Sequence, residues 1–571
     1  MRIGAPAASW FESNPEQARQ PAPGTHRPWL EPAVVILLLL LQLPFLPVAF
    51  RVDEPNIIAL ARQIERDPGD PYGFEINWTG TTKPAYEVLA NPPVYPAWLA
   101  LWGKLFGWSE ISLHASNVPF AVLALMSFMA AARRLRISPA LSGLLLLGSP
   151  AFLLATHVVM PDLAMLSCFL LALAGSMSTS GMWTSRPRTA GILVAVAFIG
   201  AFLAPLMKYN GVLLAPVLLV LWFFSGRRKE TLLVALAPIL SFALWGWASW
   251  QMYGTSHFDA LSALQGGPRT YVVTGVLSAL GLGVIPMALA FTRTTLPSPL
   301  AHWRASLLVF LGAAIVGLSV LRYPIRPAVL FGLSVAISLH LLVVMLMEIE
   351  PALRRSDGVT VLLVAWIFVV LVFQFRLLFT SVRYILPLLP AVILFLLYVS
   401  KERVLTRRFR LLVAMSIVVS LGVAIGDAAI ANVYRRFIEK NEVRLRAGSG
   451  RLFFAGHWGF QYYAESIGAI AIEGVTEPQY VPGDKVMIAR NPFPQILAPS
   501  PRRMNWSRED SEQRILWPAR TIDCESAANF YGNAIGPCRF HGTASLPFGL
   551  SGEPADMISV FDAVGPRKGW R

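Results

Sequence analysis

Charge is scarce in this sequence. Only 14% of its 571 residues are Asp, Glu, Lys or Arg, and 55% are hydrophobic. Soluble domains carry about 25% charged residues, so an ordinary soluble fold is excluded. The mean hydropathy of +0.55 points to a chain that crosses a membrane many times. Cysteine is scarcer still, at three residues. No Cys-x-x-Cys pair or clustered His partner accompanies them, which leaves little support for a structural metal site. No phosphate-cradling P-loop, no dinucleotide-binding glycine fingerprint and no repeat of solenoid length occurs.

What charge there is lies unevenly. The formal net charge is +15, from 48 Lys and Arg against 33 Asp and Glu. The basic residues sit in short clusters between apolar runs, and no basic groove with interleaved aromatics appears. That is the pattern of cytoplasmic loops and anionic-lipid contact, not of nucleic-acid binding.

Apolar runs of membrane length begin at residues 32–50. They recur near 113–132, 138–157, 162–179, 190–207, 211–225, 231–250, 270–291, 305–321, 327–347, 359–379, 382–400 and 411–430. That makes about thirteen candidate spans. Clusters such as Arg133-Arg134-Leu135-Arg136, Arg227-Arg228-Lys229 and Arg354-Arg355 fall in alternate loops, on the same side as the polar tail 1–31. The positive-inside bias makes that side cytoplasmic, and an odd number of spans puts residues 431–571 outside. Cys524 and Cys538 lie close together there, and a pair like that suits a disulfide in an oxidising compartment. Cys168, inside an apolar run, reads as packing.

The expected organisation is a cytoplasmic tail (1–31), a transmembrane domain (32–430) whose first outer loop covers 51–112, and an extracytoplasmic domain (431–571). The second half of that loop, 97–106, is Trp-rich and amphipathic, which suits a helix lying in the interface. The C-terminal stretch is rich in Gly, Pro and aromatics. It has short strand-like runs near 451–455, 486–490 and 557–561 and a helix from about Gly459, which predicts a small mixed α/β domain.

Against this apolar background the polar residues at the outer ends of the runs stand out. Arg51-Val52-Asp53-Glu54-Pro55-Asn56 leaves the first run with two adjacent carboxylates. An acidic residue beside a membrane span is a functional-site hypothesis by default; the plain alternative is that the pair stops the helix in interfacial water. Asn91-Pro92-Pro93 lies late in the same loop, and Pro161-Asp162 and Lys208-Tyr209-Asn210 form short outer turns. His257 and Arg269 share a later outer loop, and Arg383-Tyr384 opens a late run. Each has a plain reading: Asp162 as a helix cap, Lys208 as a snorkelling side chain, His257 as an interfacial residue. Arg322, Arg326 and Arg376 read as flank anchors. Taken together, carboxylates and cations meet at one membrane face. An anionic lipid headgroup needs Lys or Arg partners. A sugar transferred from such a lipid needs a base for the incoming hydroxyl.

The order of these pieces resembles the GT-C superfamily of glycosyltransferases that use polyprenyl-phosphate sugars. The similarity is to the branch holding the protein O-mannosyltransferases and the bacterial lipid A aminoarabinose transferases. Val52-Asp53-Glu54 resembles its acidic motif after the first span. Asn91-Pro92-Pro93-Val94-Tyr95-Pro96 with Leu105-Phe106-Gly107 resembles its Pro-Pro-Leu-Tyr and Leu-Phe-Gly segments. Pro161-Asp162, Lys208-Tyr209 and Arg383-Tyr384-Ile385-Leu386-Pro387 fall at its later motif positions, as do Gly456-His457-Trp458-Gly459 and Phe530-Tyr531-Gly532 in the C-terminal part. Where relatives often carry His or Lys before the two prolines, this chain has Asn91.

The resemblance implies a GT-C fold and an inverting single displacement at the extracytoplasmic face of the plasma (inner) membrane. The donor would be a polyprenyl-phosphate sugar and the acceptor a hydroxyl on a glycan, lipid or protein. Asp53 would be the base, with Asp162 orienting the base or the acceptor. Lys208, Arg269 and Tyr384 would hold the donor phosphate, and Glu54 would position the sugar or the neighbouring loop. Asn91, Tyr209, His257 and Arg383 complete the expected substrate-binding set. No metal or other cofactor is expected. A lipid or solute transporter is the competing reading, since the same charges would line a substrate path.

Overall fold

The computed structural model describes residues 29–566, except 79, 90, 180–185, 226–227, 259–268, 285–302, 378–379, 401–406, 475–477, 502–503 and 533–545. An apolar helix occupies each of the thirteen expected runs. Among the described residues six are long and apolar enough to cross a membrane: Glu110–Arg134, Pro161–Thr179, Pro187–Met207, Lys229–Tyr253, Ile325–Arg354 and Phe409–Arg446. The helices Pro139–Leu147 and Pro150–Thr156 make a seventh if counted as one bent span, and the remaining six apolar helices are shorter. Proline sets many of the starts: Pro139, Pro150 and Pro187 each stand in the first turn of a helix. There the missing N–H costs nothing and the fixed φ already suits a helix.

The run expected at 138–157 is not one straight helix. It bends by 78° at Gly148-Ser149, because Pro150 cannot donate to the carbonyl one turn back and its ring displaces that turn. The bend tips Pro150–Thr156 against the long helix Arg407–Arg446.

The expected outer loop 51–112 holds ordered structure. Helix Glu54–Arg66 is amphipathic and buries Ile57, Ile58, Leu60, Ala61 and Ile64. A short hairpin pairs Glu75–Asn77 with Thr82–Pro84. Helix Val94–Phe106 follows; it buries Tyr95, Leu99 and Ala100 and leaves Leu101, Leu105 and Phe106 more than half exposed.

Near the C-terminal end the long helix Arg407–Arg446 runs well past the expected end of its span at 430, so the expected border at 431 falls inside it. Beyond it lies a five-stranded mixed sheet. Its order is Ile470–Ala471, Leu452–Ala455, Lys485–Ala489, Asp556–Pro566, Met504–Gln513. The first three strands run parallel and the last pairings are antiparallel. Both faces of the central strands are buried. Phe454, Met487 and Val560 pack on Phe437, Ile438 and Phe460, while Phe453, Val486 and Phe561 pack on the other side with Tyr480 and Trp506. The first loop is fastened to this region. Tyr463 donates to nothing at Phe50 but accepts its N–H at 2.8 Å, and Glu473 accepts from Asn77 Nδ2 at 3.1 Å and Thr82 Oγ1 at 2.6 Å. Cys524 is disulfide-bonded and Cys168 is free and buried; Cys538 lies outside the described residues.

One titration should be visible in this sheet. Burial pushes the Asp556 carboxyl up to about 7, against the bonds it accepts from Met557 N–H, Tyr434 OH and Asn491 N–H. A folded pKa above the unfolded one means that the fold holds the proton more tightly. This contribution is full below the ordinary value of 3.8 and is lost as pH rises through about 7. The midpoint of thermal unfolding should therefore fall between those limits in the wild type and fall less in Asp556→Asn. The difference is worth a few kcal/mol across the window. Parallel curves for the two proteins would remove Asp556 as the cause.

Candidate active site

The chain enters the site through a strained turn. Val52 holds φ +44°, a left-handed conformation that costs a β-branched residue about 1–3 kcal/mol. The turn separates a fully buried Arg51 from Asp53, whose side chain is 33% exposed. Asp53 stands at the N-cap position of helix Glu54–Arg66, yet its side chain makes no cap bond. It instead accepts from Arg383 Nη2 at 2.9 Å.

Arg383 comes from the turn that leads into helix Leu388–Ser400. Its guanidinium also reaches the Met160 sulfur and the Tyr531 carbonyl, the latter at 3.4 Å. On its other side Nη1 lies 3.7 Å from Asp162 Oδ2. Asp162, in the first turn of helix Pro161–Thr179, accepts from Lys208 Nζ at 2.5 Å through its other oxygen. Lys208 is presented by an extended residue that ends helix Pro187–Met207. The chain then turns tightly back at Gly211, where a Cβ would strike the backbone of Ala204 and Pro205. The ammonium stands 4.6 Å from the centre of the Tyr384 ring. Four charges thus alternate in one row: Asp53, Arg383, Asp162, Lys208. Of the four side chains only Asp53 is substantially exposed; the others lie between 2% and 12%.

A second layer holds this row in place. Glu54 is fully buried and points away from it. Its carboxylate accepts from Arg51 N–H and Val159 N–H, both at 2.6 Å, and meets His114 Nε2 at 3.3 Å. Burial alone would raise the Glu54 carboxyl, but His114 and the Arg51 charge override it and hold it below its ordinary value. Arg51 pairs with Asp427 at 2.7 Å and donates to the His157 carbonyl at 2.8 Å. Asp427 also accepts from Thr521 Oγ1 at 2.6 Å and from Tyr531 OH at 2.9 Å. Tyr531 therefore touches both layers: its hydroxyl bonds Asp427 and its carbonyl bonds Arg383.

A third group lies just beyond Lys208. Trp245 Nε1 donates to Tyr209 OH at 2.7 Å, Tyr209 OH meets His257 Nδ1 at 2.5 Å, and His257 Nε2 meets the Leu89 carbonyl at 2.9 Å. Burial pushes His257 down to about 4, so the ring is neutral near pH 7. The network then assigns the proton to Nε2. Tyr86 stacks on His257, and Tyr72, which bonds the Asn91 carbonyl, packs edge-on to it.

No family model and no curated protein matches the chain. Its likenesses are among solved structures. ArnT from Cupriavidus metallidurans bound to undecaprenyl phosphate is 14% identical. That match covers 81% of this chain and 94% of that one, with a TM-score of 0.39. The Archaeoglobus fulgidus oligosaccharyltransferase in its apo form is 12% identical, covering 78% of this chain and 65% of that one, with a TM-score of 0.44. The S. cerevisiae protein O-mannosyltransferase Pmt1-Pmt2 complex bound to the sugar donor is 13% identical, covering 44% of this chain and 37% of that one, with a TM-score of 0.32.

Of the residues singled out from sequence, the structure brings Asp53, Asp162, Lys208, Arg383 and Tyr384 together. Tyr209, His257 and the Asn91 backbone form the adjoining aromatic group. Glu54 is turned into the supporting layer, and the Arg269 side chain lies outside the described residues. Arg51, His114, Asp427 and Met160 were not singled out as site residues. Asp427 carried a signal, being a carboxylate inside an apolar run. Among the described residues no group of three His, Cys, Asp or Glu is placed to hold a metal ion.

Proposed function

We propose that the chain is a membrane glycosyltransferase. It moves a monosaccharide from a polyprenyl-phosphate donor to an acceptor hydroxyl, with inversion, at the extracytoplasmic face. The observation that carries this reading is the alternating row of two carboxylates and two cations in which only one carboxylate is open to an incoming acceptor. The row is electrically balanced as it stands. A phosphate arriving at Arg383 and Lys208 competes with Asp53 and Asp162 for them. Asp53 is then released as a free carboxylate beside the reacting centre.

The acceptor oxygen forms its bond to the anomeric carbon while the bond from that carbon to the phosphate oxygen breaks. The electron pair of the broken bond stays on the phosphate, where Arg383 and Lys208 stabilise it. The acceptor proton passes to Asp53. Asp162 keeps Lys208 aligned, and Tyr384 lines the cation from its other side. The lipid-linked sugar is a substrate in this scheme, and no cofactor takes part.

The deciding assay incubates the purified protein with radiolabelled polyprenyl-phosphate sugars and membrane extract. Release of free polyprenyl phosphate together with label in glycan, lipid or protein is expected. Movement of intact lipid-linked sugar across vesicles with no new glycosidic bond would overturn the proposal in favour of transport.

A further inference from the structure

The C-terminal region carries an apolar loop at 515–518 that directly follows a charged strip of surface, Arg508 to Arg514. Leu516 is fully exposed, at 106%, and Trp517 is 40% exposed. Neighbouring exposed apolar side chains that join a larger apolar patch mark an interaction surface, whereas a single one does not. Its position shows what covers it. Trp517 Nε1 donates to the Gly422 carbonyl at 2.6 Å, so the loop lies on the helix Arg407–Arg446. The next residue, Ala519, is packed so closely on the same helix that a Cβ at Gly426 would run into its carbonyl.

The face on which the loop rests is known. Leu411, Met415 and Val418 are exposed at 62%, 53% and 68%. They are spaced four and three residues apart, so they form one stripe on the helix, and Gly422 is the next position on that stripe. Leu411 to Gly422 is about 16 Å of helix, well inside the about 30 Å of a bilayer's hydrocarbon core. The exposed apolar stripe of a spanning helix faces lipid. The loop therefore takes over that stripe where the helix itself stops presenting apolar side chains. Just before the loop, Arg514 pairs with Glu512 at 2.7 Å, and both are well exposed. Charge thus stands directly beside an aliphatic–Trp pair, the residue types that meet at a membrane interface.

We propose that the 515–518 loop is a membrane anchor of the C-terminal region, with Leu516 and Trp517 seated in the phospholipid leaflet beside the helix Arg407–Arg446. The occupant of this surface is lipid, not a second copy of the chain or another protein. The loop meets the helix about 16 Å from Leu411, on the lipid-facing part of the span. It fixes Thr521, and through Asp427 the Tyr531 contact to Arg383, at a set depth relative to the bilayer. The proposal does not depend on the reaction assigned above.

The same helix supplies both reference positions for a test. Val418 lies on the lipid stripe, and Val443, 87% exposed, lies about 37 Å further along the helix. The full chain carrying Leu516→Cys, Val418→Cys or Val443→Cys is labelled with a small fluorophore and placed in phosphatidylcholine–phosphatidylglycerol nanodiscs. Emission is then read against lipids bearing a nitroxide on the acyl chain and against aqueous iodide. The label at 516 is expected to lose emission to the lipid nitroxide as the label at 418 does, and to resist iodide. A label at 516 that behaves like the one at 443 places the loop in water and overturns the proposal. A label at 516 shielded from both quenchers assigns the surface to protein and overturns it equally. Each substitution is at an exposed side chain, so the fold is kept in every arm.

Discussion

Asp53→Asn should lower turnover by about two to four orders of magnitude, the usual loss when a general base is removed, while donor binding stays intact. The substitution is nearly isosteric. The amide oxygen can still accept from Arg383, which also keeps its approach to Asp162 at 3.7 Å. Because the Asp53 side chain is a third exposed, no buried charge is stranded. What is removed is the basicity of the one carboxylate that an acceptor can reach. The loss should therefore appear in kcat under donor saturation, with the donor KM unchanged or lower. Donor affinity measured separately, by retention of radiolabelled lipid on the purified protein, should match wild type. Equal turnover by the two proteins would end the assignment of the base to Asp53. A rise in donor KM with kcat preserved would move Asp53 from catalysis to binding.

The largest stability effect is expected in the layer beneath. Asp427→Leu should cost about 3–5 kcal/mol, because it strands a buried guanidinium. Arg51 would keep only the His157 carbonyl among its guanidinium bonds, and the hydroxyls of Thr521 and Tyr531 would lose the acceptor that they share. Glu54 offers little relief, since its oxygens already serve two backbone N–H groups and His114. Removing both charges, in Arg51→Met with Asp427→Leu, should recover most of the loss. A buried ion pair replaced by apolar side chains is often neutral, whereas half a pair is not. The measurement is the unfolding midpoint of the single and double variants in detergent, analysed as a cycle. Additive losses would mean that Arg51 and Asp427 do not act as a pair. Because Tyr531 also holds Arg383, the single variant should show weaker donor binding as well as lower stability.

Much of the charged row could be read from the sequence, because each member is an anomaly against its surroundings. Asp53, Asp162, Lys208 and Arg383 are charges at the ends of apolar runs, where charge is expensive and needs a reason. The supporting layer is different. Arg51 stands beside Asp53 in the sequence, but nothing local says that its partner is Asp427 or that a tyrosine near residue 530 will bond that partner. The helices were legible from run length and the central strands from their composition. The break at Gly148-Ser149-Pro150 was masked by a run long enough to span, although the sequence carries a proline there. The long helix was cut short for a related reason. Past residue 430 hydropathy falls, but the helical spacing continues through Val433, Tyr434, Phe437 and Ile438, which face the sheet instead of lipid. Loss of hydropathy ends a span; it does not end a helix.

The Arg51–Asp427–Tyr531 contacts also set an order of events during synthesis. Arg51 leaves the ribosome hundreds of residues before either partner, and Asp53 is separated from Arg383 by 330 positions. Until residues near 427 and 531 have been made and delivered to the same side, Arg51 lacks its Asp427 partner and the strained Val52 turn lacks that support. The nascent helices can insert while these late contacts are still unmade. The support layer is completed last, when the final segment closes onto the first. A chain released early would keep the charged row but lack the Asp427 and Tyr531 contacts that hold Arg51 and Arg383 in place.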